Sequence, residues 1–191
     1  VIGDAIVAVG PGAGKRYPGA KVIDAKEMVV APGFIDPHTH SDAFIWGKTP
    51  QERLVEPWLM QGVTTIFTGV DGYGQGPGTA KALLDHADSG GIGPNVATFV
   101  GFGAVRVKLP KNNDGQPPAA ELDQMKALTV QGMCEGAFGL SSGLFYAPQS
   151  FSKTPEVIAL AREAATRGGI YDTHQRDESS YSIGLMNSIA E

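Results

Sequence analysis

One cysteine, Cys134, is all that the 191 residues contain. A single thiol excludes an intramolecular disulfide framework and any zinc site built from several thiolates. It lies in the helical-looking run before Phe138, where a buried structural thiol is expected. No run of 18 or more apolar residues occurs, which excludes a transmembrane helix. Basic charge is scarce as well. The 15 Lys and Arg stand against 20 Asp and Glu, a net charge of −5, which argues against nucleic acid or an anionic membrane as a main partner. Charged residues make up 18% and hydrophobic residues 42%. That is the balance of a soluble globular protein, long enough for one core or one core with a small appendage. No secretory signal is visible, and a cytoplasmic location is expected; the chain begins at Val1 rather than at a methionine, so its true N-terminus is expected to be missing.

Glycine is abundant, at 26 residues with 13 prolines. These are spread along the chain, as loops and tight turns require, rather than gathered in a disordered tract. Residues 1–31 differ from the rest: Ala5–Val9, Lys21–Asp24 and Met28–Val30 are short β-rich pieces around a Gly/Pro/Lys turn, a small β element beside a main domain at 32–191. From Phe34 onward, strand-like and helix-like segments alternate. Strands are expected at Phe34–Asp36, Thr64–Val70, Asn95–Val100, Phe138–Leu144 and Ile170–His174. Helices are expected at Pro50–Gln61, Thr79–Ala87 and Ala119–Gly136, and from an N-cap at Thr154 with Pro155 at the first helical position to Arg167. Such alternation means βαβ units and a parallel sheet, whose chemistry sits at the C-terminal ends of the strands.

The first of those strands ends in Asp36-Pro-His-Thr-His40. Successive strand side chains alternate faces, so His38 and His40 project to the same side, roughly 6–7 Å apart. Two imidazoles so placed can converge on one zinc ion. His174 closes the fifth strand, and Asp71 follows the second, so both are expected at the same rim. Asp71 can serve as a carboxylate ligand, or simply as the first residue of an Asp-Gly turn. His86, alone on a helix, reads as a surface residue. Three motif matches fail. Gly10-Pro-Gly-Ala-Gly-Lys15 lacks the first glycine of a P-loop and has Arg16 in place of the magnesium-holding hydroxyl. Gly72–Gly78 fits no register of a dinucleotide fingerprint and reads as a flexible active-site loop. Gly139-Leu-Ser-Ser-Gly143 matches a nucleophile elbow but lacks the helix that must follow the serine.

Taken with these residues, longer runs resemble the amidohydrolase superfamily and, within it, the N-acyl-D-amino-acid deacylase (D-aminoacylase) group. They are Val22–Ala25, Ala31–His40, Gln61–Thr65, Gly136–Leu144 with Tyr146 and Pro148, and Gly168–Glu178, in family order over nearly the whole chain. The resemblance implies a partial (β/α)8 TIM barrel of about five βα units, with the remnant of a small β-sandwich at residues 1–31. It implies one or two zinc ions held by His38 and His40 at one site and His174 at a second. It also implies Tyr146 near the scissile carbonyl and Arg176 as a contact to a small-molecule N-acyl amino acid substrate. Two departures stand out. Asp71 occupies the position of a cysteine ligand in the group, making the site harder, and Phe102 replaces a histidine common after the third strand.

The implied chemistry is metal-assisted hydrolysis of a linear amide. The family's general base and its sixth-strand ligand have no counterpart in these residues, and the run from Phe34 falls well short of the roughly 250 residues that a whole barrel takes. The chain is therefore expected to be an N-terminal fragment, inactive alone, weak in zinc binding and prone to aggregate along its open strands. Two rivals remain. A hydrolase of cyclic amides is supported by a carboxylated lysine on the fourth strand, which Phe138–Leu144 lacks. The other is a catalytically silent binding protein with a degenerate metal site.

Overall fold

Strand pairing among the described residues is parallel throughout the region from Phe34 to His174. The computed structural model of the chain describes residues 1–3, 5–74, 79–108 and 114–191, in two compact units, Val1–Pro32 and Gly33–Glu191. In the second unit β1 (Phe34–Asp36) pairs with β2 (Val63–Thr68), and β2 with β3 (Asn95–Thr98). A second sheet runs from β4 (Val100–Gly101) through β5 (Gly139–Gly143) to β6 (Ile170–His174). Only Phe99 separates β3 from β4. Its N–H donates to Thr68 O at 3.1 Å, and Phe138 N–H donates to Thr98 O at 2.8 Å. The single third strand expected at Asn95–Val100 is thus a hinge shared by both sheets, and the strands follow one another in chain order.

Apolar clusters form on both faces of the first sheet, the larger one under the helices. On β2, Ile66 packs with Ile45, Val55 and Leu83 under the helices, while the next residue, Phe67, joins Val70 and Phe99 on the opposite face. The helices are α1 (Asp42–Ile45), α2 (Pro50–Arg53), α3 (Glu56–Leu59), α4 (Ala80–Gly90), α5 (Phe102–Arg106), α6 (Ala119–Cys134), α7 (Thr154–Ala165) and α8 (Leu185–Ala190). The largest cluster joins Val100, Phe102, Leu140 and Leu144 to Met125 of α6 and to Val157 and Leu160 of α7. None of these helices is long and apolar enough to cross a membrane.

Several sequence expectations change. The helix over 50–61 is two short helices, because Pro57 supplies no N–H to continue α2 and Val55 turns into the left-handed region at φ 52°. The capping box that starts α2 is complete, with Thr49 and Glu52 bonding each other's backbone. Thr154 is not the cap of α7; Lys153 holds that position, and Thr154 is the first helical residue. Cys134 is exposed rather than buried. The inward stripe of α6 runs through Met125 and Thr129 at a spacing of four, and Cys134 falls off that stripe. The β pieces expected within residues 1–31 do not form ladders. Among the described residues that unit holds an isolated Ile2–Ala5 bridge and one 3-10 turn at Ala13–Arg16, and Val22, Ile23, Val29 and Val30 are solvent-exposed, with no strand to pair against.

One buried ion pair ties α5 to α7. Arg106 at the end of α5 is 2% exposed, and its Nε and a terminal nitrogen reach the two carboxylate oxygens of Glu156 at 2.7 and 3.3 Å. It also donates to the carbonyls of Pro148 and Gly115 at 2.5 and 2.7 Å. Removing one partner strands a charge in the core, which costs about 3–5 kcal/mol, whereas an apolar pair of similar volume is close to neutral. Glu156→Ala is accordingly expected to lose about 3–5 kcal/mol in urea denaturation, and the double change Arg106→Met with Glu156→Leu to recover most of it. A double variant no more stable than the single one contradicts this account.

Candidate metal centre

Backbone register decides which side chains meet. β1 hydrogen bonding continues past its last residue, with Thr39 N–H donating to Phe67 O at 3.0 Å and the Thr39 hydroxyl to the same oxygen at 2.6 Å. Thr39 is buried and its neighbours face the other way, so His38 and His40 share one side as the alternation predicts. Their rings lie 5.6 Å apart, edge to face. Asp36 fixes the strand end beneath them, accepting from Trp58 Nε1 and from His38 N–H, both at 3.2 Å.

Asp71 comes to the same place from the end of β2. It sits at φ 56° between two glycines, Gly69 and Gly72, both at φ 72°. An L residue in that region costs on the order of 1 kcal/mol, and β5 holds the loop in place. Ser141 Oγ donates to Gly69 O at 2.5 Å and accepts from Gly72 N–H at 3.1 Å. Buried Gln149 donates to Asp71 O at 2.8 Å and accepts from Gly143 N–H at 2.7 Å. A Cβ on Gly72 would stand 1.9 Å from Gln149 Oε1, so a side chain there would push the Gln149 amide out of place. Both serines of the elbow-like run are therefore buried structural groups: Ser141 clamps the Asp71 loop, and Ser142 bonds the hydroxyls of Tyr171 and Thr173 at 2.6 and 2.7 Å.

The result is a group of three. His38 Nε2 is 3.5 Å from Asp71 Oδ1, and His40 Nε2 is 3.2 Å from Asp71 Oδ2. One ligand atom from each lies within 4.8 Å of the others, the one such group among the described residues. Asp71 is 5% exposed, and its Oδ1 is buried without a hydrogen-bond donor. Two imidazole nitrogens and an unsatisfied carboxylate oxygen, open to solvent on the histidine side, fit a divalent cation. His38 Nδ1, on the far side of its ring, lies 3.0 Å from Asp172 Oδ1. Burial works against a proton on His38, but the hydrogen bond and charge of Asp172, with Asp71 and Asp36 adding to them, raise its pKa above the ordinary imidazole value.

The remaining expected residues group nearby. His174 ends β6 level with Gly143 of β5, outside the three-residue group. Its Nδ1 is 3.4 Å from the Tyr146 hydroxyl, and its Nε2 is 3.8 Å from Glu178. Arg176 is engaged with Glu191 at 2.7 and 2.8 Å and with Ser150 O at 2.9 Å. Phe102, in the position of the family histidine, is fully buried in the core. His86 is half-buried rather than a surface residue, bonding Ile45 O at 3.0 Å and stacking on Trp46. Of the glycine-rich loop expected at 72–78, residues 75–78 lie outside the described ones. Asp36, Gln149 and Asp172 carry roles here that no sequence motif marks. The signal for Asp172 was present: it lies one strand period before His174, on the same face of β6.

No protein-family model matches the chain. It is 34% identical to an N-acyl-D-aspartate deacylase and 32% identical to a D-aminoacylase, both of Alcaligenes xylosoxydans xylosoxydans, over 97% and 86% of its own length. A solved D-aminoacylase, described as defining a novel subset of amidohydrolases, superposes with a TM-score of 0.73 at 29% identity over 83% of the chain. The chain is a homologue of the D-aminoacylases. An N-acyl-D-glutamate deacylase of Bordetella bronchiseptica, solved with zinc and a phosphonate inhibitor, superposes with a TM-score of 0.74 at 28% identity over 84% of the chain. The mixed α/β fold with parallel sheets is that of the D-aminoacylases. The chain spans 41% of that N-acyl-D-aspartate deacylase, 37% of that D-aminoacylase and 36% of each solved structure.

Beyond the rim, Asp177 organises the segment that follows β6. Fully buried, it accepts backbone N–H groups from Ser182, Gly184, Ser179 and Tyr181 at 2.6, 3.0, 2.9 and 3.3 Å. These bonds, led by that from Ser182, outweigh burial and hold its carboxyl well below the usual carboxylate range. A depressed folded pKa means stability that is complete above the unfolded value of about 3.9 and is lost as pH falls through the folded value. Asp177→Asn is expected to lower the urea midpoint most at pH 7, with the gap to wild type closing on acidification below about pH 4. A gap independent of pH contradicts this role.

Proposed function

We propose that this chain carries the metal-binding part of a zinc-dependent amidohydrolase that removes the acyl group from N-acyl-D-amino acids. The observation that carries the reading is the convergence of His38, His40 and Asp71, with a buried carboxylate oxygen left without a donor, at the strand-end rim of a D-aminoacylase homologue. We read β1 to β6 as five βα units of a (β/α)8 barrel and residues 1–31 as the remnant of a β-sandwich. Sequential parallel order supports this, as do the outer strands β1 and β6, where Phe34, Ile35, Ile170 and Tyr171 remain exposed.

A bound zinc ion supplies hydroxide near neutral pH and polarises a carbonyl. The chain's own residues do the rest. His38 and His40 offer Nε2, and Asp71 offers the oxygen that its burial leaves unsatisfied. His174 stands ready for a second ion, with the Tyr146 hydroxyl beside it to donate a hydrogen bond to the substrate carbonyl as negative charge develops there. Arg176 offers a guanidinium to the substrate carboxylate on exchanging Glu191 for it.

The test has two parts. Zinc titration of the 191-residue chain is expected to show uptake that His38→Ala, His40→Ala and Asp71→Ala abolish and that Asp71→Cys strengthens, because a thiolate suits zinc better than a carboxylate. The whole product of its gene is expected to hydrolyse N-acyl-D-amino acids in preference to their L enantiomers, and to lose this with chelator or in Asp71→Ala. Metal uptake without any turnover by the whole product favours a silent binding protein. No uptake by wild type overturns the reading at its root.

A further inference from the structure

Among the charged groups at the rim that the metal-site reading leaves unused, Asp172 is the one in contact with a ligand imidazole nitrogen. Asp172 projects from β6 on the same face as His174, and its side chain is 19% exposed. Its Oδ1 lies 3.0 Å from His38 Nδ1. Its Oδ2 is buried and has no hydrogen-bond partner among the described residues. Sequestering a carboxylate costs free energy unless a partner compensates, and a carboxylate at this depth with a single partner is held there by that partner. The partner is His38, 134 positions away in the chain, and the nitrogen it meets is the one turned away from Asp71.

Resting on the metal-site reading above, we propose that Asp172 is a positioning residue that holds the proton of neutral His38 on Nδ1 and so keeps the Nε2 lone pair aimed at the cation. The chemistry is that of a carboxylate behind a metal-bound imidazole. The acceptor fixes the tautomer, sets the ring plane and raises the basicity of the ligating nitrogen. No proton is lost or gained in this role; the carboxylate only selects which nitrogen carries it. The geometry separates the two histidines. His40 is 68% exposed, and its one carboxylate contact among the described residues is Asp71 on the Nε2 side, with none behind its ring. His38 is the ligand whose orientation the fold sets in advance.

Two measurements on the wild-type chain and its Asp172→Ala and Asp172→Asn variants decide the matter. The first is the imidazole nitrogen spectrum of metal-free protein above the titration of His38, which four histidines make assignable. Wild type is expected to show His38 protonated on Nδ1, and Asp172→Ala to shift it towards the Nε2-protonated form that free imidazole prefers. The second is Co2+ affinity, followed by the visible spectrum of the bound ion. Asp172→Ala is expected to weaken it by about 10–100-fold, with Asp172→Asn between the two because its amide oxygen still accepts. An Nε2-protonated His38 in wild type, or unchanged Co2+ affinity in a folded Asp172→Ala, overturns the proposal. Should that variant not fold, unchanged affinity in Asp172→Asn does so. A wild-type chain that takes up no Co2+ overturns the metal site and the positioning role together. Normal uptake by wild type with an unaffected variant overturns the role of Asp172 alone.

Discussion

Because each strand from β1 to β6 runs parallel to its neighbour, the chain leaves every strand on the same side of the sheets, and side chains just past those ends meet without any loop having to reach for them. His38 lies two residues beyond β1, Asp71 three beyond β2, and His174 is the last residue of β6. The register does the rest: Gly143 stands beside His174, and the Asp71 carbonyl stands against Gly143 so closely that a Cβ there would come within 2.5 Å of it. Shifting one strand by a single residue would turn its rim side chain to the other face. The centre is therefore a property of the ladder more than of the loops, and the ladder is held by clusters on both of its faces.

Asp71 is where the opposing terms are largest. Its backbone conformation costs on the order of 1 kcal/mol, and a buried acceptor without a donor costs about 1–3 kcal/mol more. Four hydrogen bonds from Ser141 and Gln149 hold the loop against that cost, each contributing about 0.5–1.5 kcal/mol net. The backbone is thus held while the carboxylate is left underserved, since all four bonds go to main-chain atoms or clamp the loop and none reaches Oδ1. A carboxylate that is placed by hydrogen bonds but not satisfied by them fits the proposed role of cation ligand.

The parts of this arrangement that sequence reading captured are those governed by period. The His-x-His pair, β6 at Ile170–His174 and the extent of α6 to within two residues follow from alternation of two or spacing near 3.6. Asp71 was legible as a rim residue because an Asp-Gly turn after a β-rich run can end a strand in only one place. What escaped depends on partners far away in the chain. Gln149 looks like any polar residue after Pro148, and its value lies in contacts to Asp71 and Gly143. Arg106 ends α5 with no local sign that Glu156, fifty residues on, completes it. Asp172 precedes His174 by one strand period, but its partner His38 lies 134 positions away. The failures at Cys134 and at 50–61 have local causes, a helix face off by one position and a proline without an N–H. The strands expected in residues 1–31 lacked a neighbour to pair with, which no local pattern reports.

Formal charge ties the two carboxylates to the metal reading. With His38 and His40 neutral, Asp71 and Asp172 place two negative charges around the imidazole pair, and Asp36 lies just below. One divalent cation balances the first two. Without it, the field acts on the nearest titratable nitrogen, which is why His38 holds a proton more tightly than a free imidazole despite its partial burial. Proton and cation therefore answer to the same potential and compete for the same Nε2. On the proposed metal reading, a carboxylate at Asp71 supplies that charge from a hard donor, which favours hard cations more than a thiolate would. On the same reading, the donor hardness of the rim is set by Asp71, buried at the Nε2 side of both rings, and the orientation of His38 by Asp172, on the other side of its ring.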